Sequence, residues 1–388
     1  LGNPKVGMQT TNNDKYLRIW HEIDEGYVHS ASNTDHSWIK YLKGGPFRKW
    51  YGNLGHMLHY KNNPNHILEQ KNATVLPLEA LEKAKGTWSD VNSGKFNARI
   101  APKDTFHDIS GHCFYPNEDS ASWLLGYANS SVFNDFLALV NSSLHYQVGD
   151  IGRMPILDFD RKSVSKCVDR AITLAKSDWD AYETSWDFTT LPLLQPDHRA
   201  ETLEATYTTL RAHWQSMTDK MKRLEEENNR IFIDAYGLQD ELTPEVPLNE
   251  ITLTCNPAYR YGVKNSEEDR EVRLRADTMA EFLSYAVGCM FGRYSLDEPG
   301  LILANQGETL EDYLARIPEP SFMPDEDNVI PVLDENWFPD DITERFRLFL
   351  RVTFGEAHFR ENLKFIEDSL GKDIRKYFTK DFYADHVK

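Results

Sequence analysis

Cysteine is scarce in this chain. The 388 residues hold four, Cys113, Cys167, Cys255 and Cys289, far apart and with no CxxC pair. That spacing argues against a zinc ribbon and a disulfide framework, and it suits a reduced, cytoplasmic protein. No apolar run approaches the roughly 20 residues of a membrane helix, so no membrane contact is expected. The opening LGNPKVGMQTTNND lacks the basic-then-apolar pattern of a secretory leader. A phosphate loop is missing too. Ser93 to Phe96 reads SGKF, but Gly86 and Gly94 are too far apart, and Phe96 stands where Ser or Thr ligates magnesium. His107, His112 and Cys113, with Asp104 and Asp108, are metal-binding residue types without a metal-binding spacing; turn or core roles suit them better.

What is present is ordinary globular composition, 40% hydrophobic and 27% charged, in a chain long enough for two or three domains. The net charge is -18, unevenly spread. Residues 1–160 hold 15 Lys plus Arg against 17 Asp plus Glu, and the remaining residues 28 against 44. Phosphate would be repelled by the later part, so any nucleic-acid surface is expected in the first.

The stretch Thr87–Pro155 has the pattern of a compact mixed unit. Apolar alternations at Phe96, Ala98, Ile100 and at Phe106, Ile109 lie between turn-forming clusters and read as strands. Asn129 and Ser130 offer cap oxygens to a helix through Val132, Phe133, Phe136, Leu137 and Val140. A strand-like exit follows through Tyr146, Val148 and Ile151. Upstream, Tyr16 to Trp20 suits a buried strand, and His36–Asn53 joins two strand-like pieces through Gly44, Gly45 and Pro46. That segment interleaves Lys40, Lys43, Arg48 and Lys49 with Trp38, Tyr41, Trp50 and Tyr51, a combination that suits phosphate neutralisation and stacking. Pro77 is expected to open a short helix, LEALEKAK, ending at Gly86.

From Val164 the period becomes helical, through Val168, Ala171, Ala175, Trp179, Tyr182 and Trp186. A second helix keeps a 4,3 seam from Leu203 through Tyr207, Leu210, Trp214, Met217, Met221, Leu224, Asn228 and Ile231 to Ala235, just before Gly237. The pair is expected to form an antiparallel coiled-coil hairpin with Asn228 fixing register. Residues 238–388 read as acidic and mainly helical, with helices over Met279–Tyr294, Ile342–Leu350 and Phe359–Leu370. The expected class is α+β: a mixed α/β domain over 1–160, the hairpin over 161–237 and the helical domain over 238–388.

One tetrapeptide has a catalytic look. Asn256-Pro257-Ala258-Tyr259 is close to the Asn-Pro-Pro-Tyr turn with which amino-methyltransferases hold a flipped base. Ala258 replaces the second Pro, and no strand with a Gly-rich turn precedes it to hold S-adenosylmethionine, so a structural turn is expected.

Taken in order, VGMQTTNNDKYLRIW, KGGPFRKWYGN, TWSDVNSGKFNAR, LLGYANSSVFNDFLALVN, YQVGDIGRMPI and ENNRIFIDAYGLQDEL resemble the C-terminal part of one family, the adenine-specific DNA methyltransferases of BREX phage defence, which are related to single-chain restriction-methylation enzymes. The resemblance implies that residues 1–160 are a target-recognition domain for duplex DNA, that S-adenosylmethionine serves a catalytic domain preceding residue 1, and that no cofactor or catalytic residue lies in this chain. It also implies that the missing methyltransferase domain and other BREX proteins are partners. Charge and loop position nominate Lys43, Arg48, Lys49, Lys95 and Arg99 for phosphates, Trp50 and Tyr51 for stacking, and Asn92 and Ser93 for base edges. A protein-interaction scaffold without direct DNA binding is the alternative, favoured by the acidic helical half.

Overall fold

The computed structural model describes residues 4–30, 37–83, 85–92, 94–116, 121–141, 143–382 and 384. They form two compact units that alternate along the chain, 1–186 with 217–259, and 187–216 with 260–388. The sequence suggested consecutive domains instead.

The first unit carries two four-stranded sheets. One takes β1 (Pro4–Lys5) and the other β2 (Leu17–Ile19), which follows the single turn α1 (Asn13–Tyr16). Next come β3 (Trp38–Leu42), β4 (His56–His59), the turn α2 (Asn65–Leu68), β5 (Lys85–Ser89), β6 (Arg99–Ala101), β7 (Thr105–His107) and β8 (Gly111–Phe114). The first sheet, in order β1-β8-β5-β6, is antiparallel throughout. The second, β2-β4-β3-β7, is antiparallel except where β7 runs parallel to β3. Alternation along β3 explains its burial, because Ile39 and Tyr41 enter a core with Leu17, Leu58, Tyr60, Ile67 and Phe106. Burying each such side chain fully is worth about 1.5–3 kcal/mol.

Helices close this unit: α3 (Ala121–Ala128), α4 (Ser131–Val140), α5 (Val148–Gly152) and α6 (Arg161–Trp179). Ser130 caps α4 by accepting from the Phe133 N–H at 3.1 Å, and Val132, Phe133 and Leu137 are its buried positions. α3 packs on α6 at Gly126. A Cβ there would stand 2.7 Å from Asn228 Oδ1, 2.7 Å from Val164 Cγ1 and 2.8 Å from Val168 Cγ2, so only glycine permits this approach.

The long helix α7 (Leu203–Tyr236) follows, roughly 51 Å at 1.5 Å per residue. It ends at Gly237, whose φ is +67°. Its seam residues from Leu203 to Asn228 are buried, apart from small edges of Tyr207 and Met217. The expected short-linked hairpin differs from what forms. α6 stops at Trp179, and residues 180–202 hold only two 3-10 turns, each opened by a proline, Pro192 and Pro196. α7 then divides at 216/217 between the units. Within the first unit its later turns lie beside α6, where Cys167 Sγ is 3.1 Å from the Leu224 carbonyl. Asn228 does not pair across a two-helix seam; its Nδ2 donates to the Gly126 carbonyl at 2.9 Å.

After the short α8 (Pro257–Tyr261), the second unit is helical: α9 (Glu267–Met290), α10 (Leu310–Arg316), α11 (Ile342–Phe354), α12 (Phe359–Leu370) and α13 (Ile374–Lys380). α9, α11 and α12 pack together around Phe282, whose ring meets Phe346, Phe349 and Phe354. Asn362 accepts from the Leu203 N–H at 2.8 Å and so caps α7 from within this unit. The class is α+β. Among the described residues no helix is long and apolar enough to cross a membrane.

Candidate nucleic-acid interface

Nearly all the nominated side chains come from the loop after β3 and from the segment leading into β6. The second strand expected between Phe47 and Asn53 does not form. The chain instead turns through left-handed backbone at Trp50 (φ +72°), Gly52 (φ +120°) and Asn53 (φ +58°). An aromatic residue adopts that conformation only where its surroundings dictate it. Here the Trp50 N–H donates to the Ala98 carbonyl (3.0 Å) and its own carbonyl accepts from Ile100 (2.8 Å). Gly52 lets the loop lie against Trp179, because a Cβ would stand 2.7 Å from that ring and 2.6 Å from Arg48 Cδ.

This turn carries its cations inward, which corrects the assignment of five residues to a DNA surface. Arg48, Lys49, Trp50, Tyr51 and Arg99 are at most 5% exposed. Lys49 Nζ is ion-paired to Glu225 on α7, and Trp50 Nε1 donates to the other oxygen of that carboxylate at 2.8 Å. The main-chain N–H of Lys49 donates to Thr252 Oγ1 at 3.0 Å. Arg48 donates to Thr254 Oγ1 at 2.5 Å, faces Asp178 at 3.5 Å and stacks over Trp179. Asp178 in turn accepts from the N–H groups of Thr254 (2.6 Å) and Cys255 (2.9 Å). Lys176 lies over the Tyr51 ring. A cation committed to a buried carboxylate is not available to phosphate, since separating the pair strands the other charge. Burial pushes the Glu225 carboxyl up, against the opposing pull of Lys49 and Trp50. Arg99 donates through Nη1 to the Arg48 carbonyl and to Asn97 Oδ1, and burial, with Arg48 nearby, pushes its guanidinium down to about 10.

The remaining nominated residues are accessible or half-buried. Lys43, at the end of β3, is half-buried and acts on His56, whose imidazole is pushed down by burial first and by Lys43 second. Asn92 shapes its own turn, accepting from the Gly94 N–H at 3.0 Å and donating to the Lys95 carbonyl at 3.3 Å. Lys95 is exposed and paired to Glu250 at 2.8 Å. Ser93 lies outside the described residues. Lys49 and Lys95 line one cavity of about 500 Å³, with Glu225, Glu245, Glu250 and Asn229. Sequence reasoning missed Asp178, Glu225, Thr252 and Thr254. The one hint was position: Asp178 and Glu225 directly adjoin the seam residues Trp179 and Leu224.

Asn256–Tyr259 is a turn that opens α8. The Asn256 amide donates to the carbonyls of Leu248 (2.7 Å) and Ile251 (2.8 Å) and accepts from the Ala258 N–H (3.1 Å). Tyr259 Oη donates to the Phe47 carbonyl at 2.5 Å. The group that would hold a flipped base is committed to the main chain, and the ring that would stack on one is packed beside Arg48. His107 and Asp108 have structural partners as well, Tyr115 Oη and Tyr41 Oη respectively.

No family model matches the chain. Sequence comparison places it among relatives of adenine-specific methyltransferases. It matches adenine-specific methyltransferase PglX of Lacticaseibacillus casei (strain Zhang) at 34% identity over 99% of this chain and 32% of that protein. It matches adenine-specific methyltransferase BrxX of Escherichia coli O9:H4 (strain HS) at 31% identity over 100% of this chain and 33% of that one. The chain is similar over its whole length to these PglX and BrxX methyltransferases, and it spans about a third of the length of the curated relatives it matches. The type IIL restriction-modification enzyme MmeI, solved in complex with DNA, aligns with a TM-score of 0.40 and 10% identity over 63% of this chain and 34% of that one.

Proposed function

We propose that the first unit recognises a specific sequence in duplex DNA on behalf of a parent enzyme that transfers a methyl group from S-adenosylmethionine to adenine in BREX phage defence, in the cytoplasm. The observation that carries this reading is the relationship of the whole chain to two adenine-specific methyltransferases. The commitment of Asn256 to main-chain carbonyls supports a share other than methyl transfer. Lys43, Asn92 and Lys95 are the nominated groups whose placement suits contact with DNA; Lys95 reaches phosphate by exchanging its surface pair with Glu250, a low-cost step because exposed ion pairs are worth about 0–1 kcal/mol. The methyl donor and the partner proteins belong, in this reading, to the parent enzyme.

The test is site mapping in cells. Methylated adenines are sequenced with the full-length parent, then with residues 1–186 and 217–259 both exchanged for those of a relative of different specificity. The methylated site should follow the exchanged unit. An unchanged site in an active, folded chimaera places recognition elsewhere.

A further inference from the structure

The second sheet has a face that its core does not use. Register sets Arg18 opposite Met57, Lys40 opposite Met57 from the other side, and Trp38 opposite His59. Side chains alternate along strands, so Arg18, Lys40, Met57, Trp38 and His59 stand together on the face away from Leu17, Ile39, Tyr41 and Leu58. Met57 is buried and the others are half-buried. The rings of Trp38 and His59 stack, with centroids 4.4 Å apart and 19° between planes, and His66 meets His59 edge-on at 5.7 Å.

Among the described residues, the charged side chains that act on His59 have one sign. Burial first, and then three bases, Lys61, His66 and Arg18, push the His59 imidazole down. His66 is held at the edge of the stack, its Nδ1 3.0 Å from the Asn63 carbonyl and its Nε2 3.0 Å from the His59 carbonyl. Among the described residues Arg18 is held through Nη1 by the carbonyls of Asp14 (2.8 Å) and Leu17 (2.7 Å), which fixes the guanidinium with neutral acceptors. Lys61 is exposed at the tip of a turn whose backbone is left-handed at Lys61 and Asn62. In a chain of net charge -18, a surface with bases on an aromatic ledge is out of keeping with its surroundings, and its chemistry is that of a phosphodiester contact.

We propose that Arg18, Lys61 and His66, set around the Trp38–His59 stack, form a second DNA-backbone contact that positions the duplex on the first unit. This rests on the DNA reading above and adds residues that neither charge clustering nor the resemblance nominated. Lys61 and Arg18 neutralise phosphates, and the ring stack forms the ledge between them.

The experiment is duplex binding by the purified chain, followed by fluorescence anisotropy across a salt series. Arg18→Gln with Lys61→Gln is compared with Lys43→Gln plus Lys95→Gln and with the unsubstituted chain. Gln at 61 makes the same left-handed backbone demand as Lys, and Lys61→Gln alone, an exposed change, is the control if the pair unfolds. Removing two phosphate contacts should weaken binding at least tenfold and flatten the slope of log K against log salt by about 1.8. If the Arg18/Lys61 variant keeps the original affinity and slope while the Lys43/Lys95 variant loses them, this second contact is wrong and DNA recognition stands. If the unsubstituted chain binds no duplex even at low salt, both readings fall.

Discussion

Trp50 Nε1 and Lys49 Nζ share one carboxylate, that of Glu225 on α7, with the indole bond at 2.8 Å. Two consecutive residues of one loop thereby meet a side chain 176 and 175 positions later in sequence, inside the first unit. Glu225→Ala leaves a buried ammonium and an indole N–H without their acceptor and should cost about 3–5 kcal/mol in urea denaturation. Lys49→Met with Glu225→Leu should recover part of that loss, because the buried ammonium is removed while the Trp50 indole N–H still lacks its acceptor. A double variant as unstable as Glu225→Ala would refute this account.

Gly126 sets how closely α3 approaches α6. Gly126→Ala puts a methyl group 2.7 Å from both Asn228 Oδ1 and Val164 Cγ1, an overpacking that should cost about 1–3 kcal/mol. Adding Val164→Ala should relieve part of it. The check is the non-additivity of the two changes in thermal denaturation; additive losses would place the strain elsewhere.

Asn256 is assigned to the fold rather than to a base. Asn256→Ala should destabilise the chain by about 1–3 kcal/mol, because the buried Ile251 carbonyl and the partly buried Leu248 carbonyl lose their donor. Calorimetry with S-adenosylmethionine should show no heat of binding for either form of the chain. Saturable binding that Asn256→Ala abolishes would return the turn to catalysis.

His56 supplies a pH test. Its folded pKa is pushed below the ordinary 6.5 by burial and by Lys43, with Asp108 opposing. A depressed value favours the neutral ring in the native state, so the stability it contributes is present above about pH 6.5 and is lost as pH falls below it. Lys43→Gln should raise the His56 pKa, read from the imidazole proton shifts in NMR. No change would mean that burial acts alone.

Locally encoded features were legible in the sequence. The Ser130 cap, the run from Val132 to Leu137, α7 from Leu203 to the glycine that ends it, and α12 from Phe359 to Leu370 all appear where periodicity and capping put them. Short elements with tertiary causes were not. Val148 and Ile151 lie in the turn α5 rather than a strand. LEALEKAK makes only a 3-10 turn at Leu78–Ala80 before the chain enters β5. The candidate site failed in the same way. A run of Lys and Arg beside aromatics looks identical whether it faces water or a buried carboxylate, and the carboxylates that decide it, Asp178 and Glu225, are more than a hundred residues away in sequence. The Trp38–His59 stack depends on strand register, which the sequence does not display.

The alternation of the two units also bears on the order of events during synthesis. The loop at 48–50 needs Asp178, Glu225, Thr252 and Thr254 before its charges are compensated. A nascent chain that has emerged only to residue 186 already has Asp178 for Arg48 but still lacks Glu225, so it holds Lys49 uncompensated in what will become its interior, while α7 must await Asn362 for the cap at its first turn. Neither unit can be released by a single proteolytic cut, and the ribosome must deliver both stretches of the first before it can close.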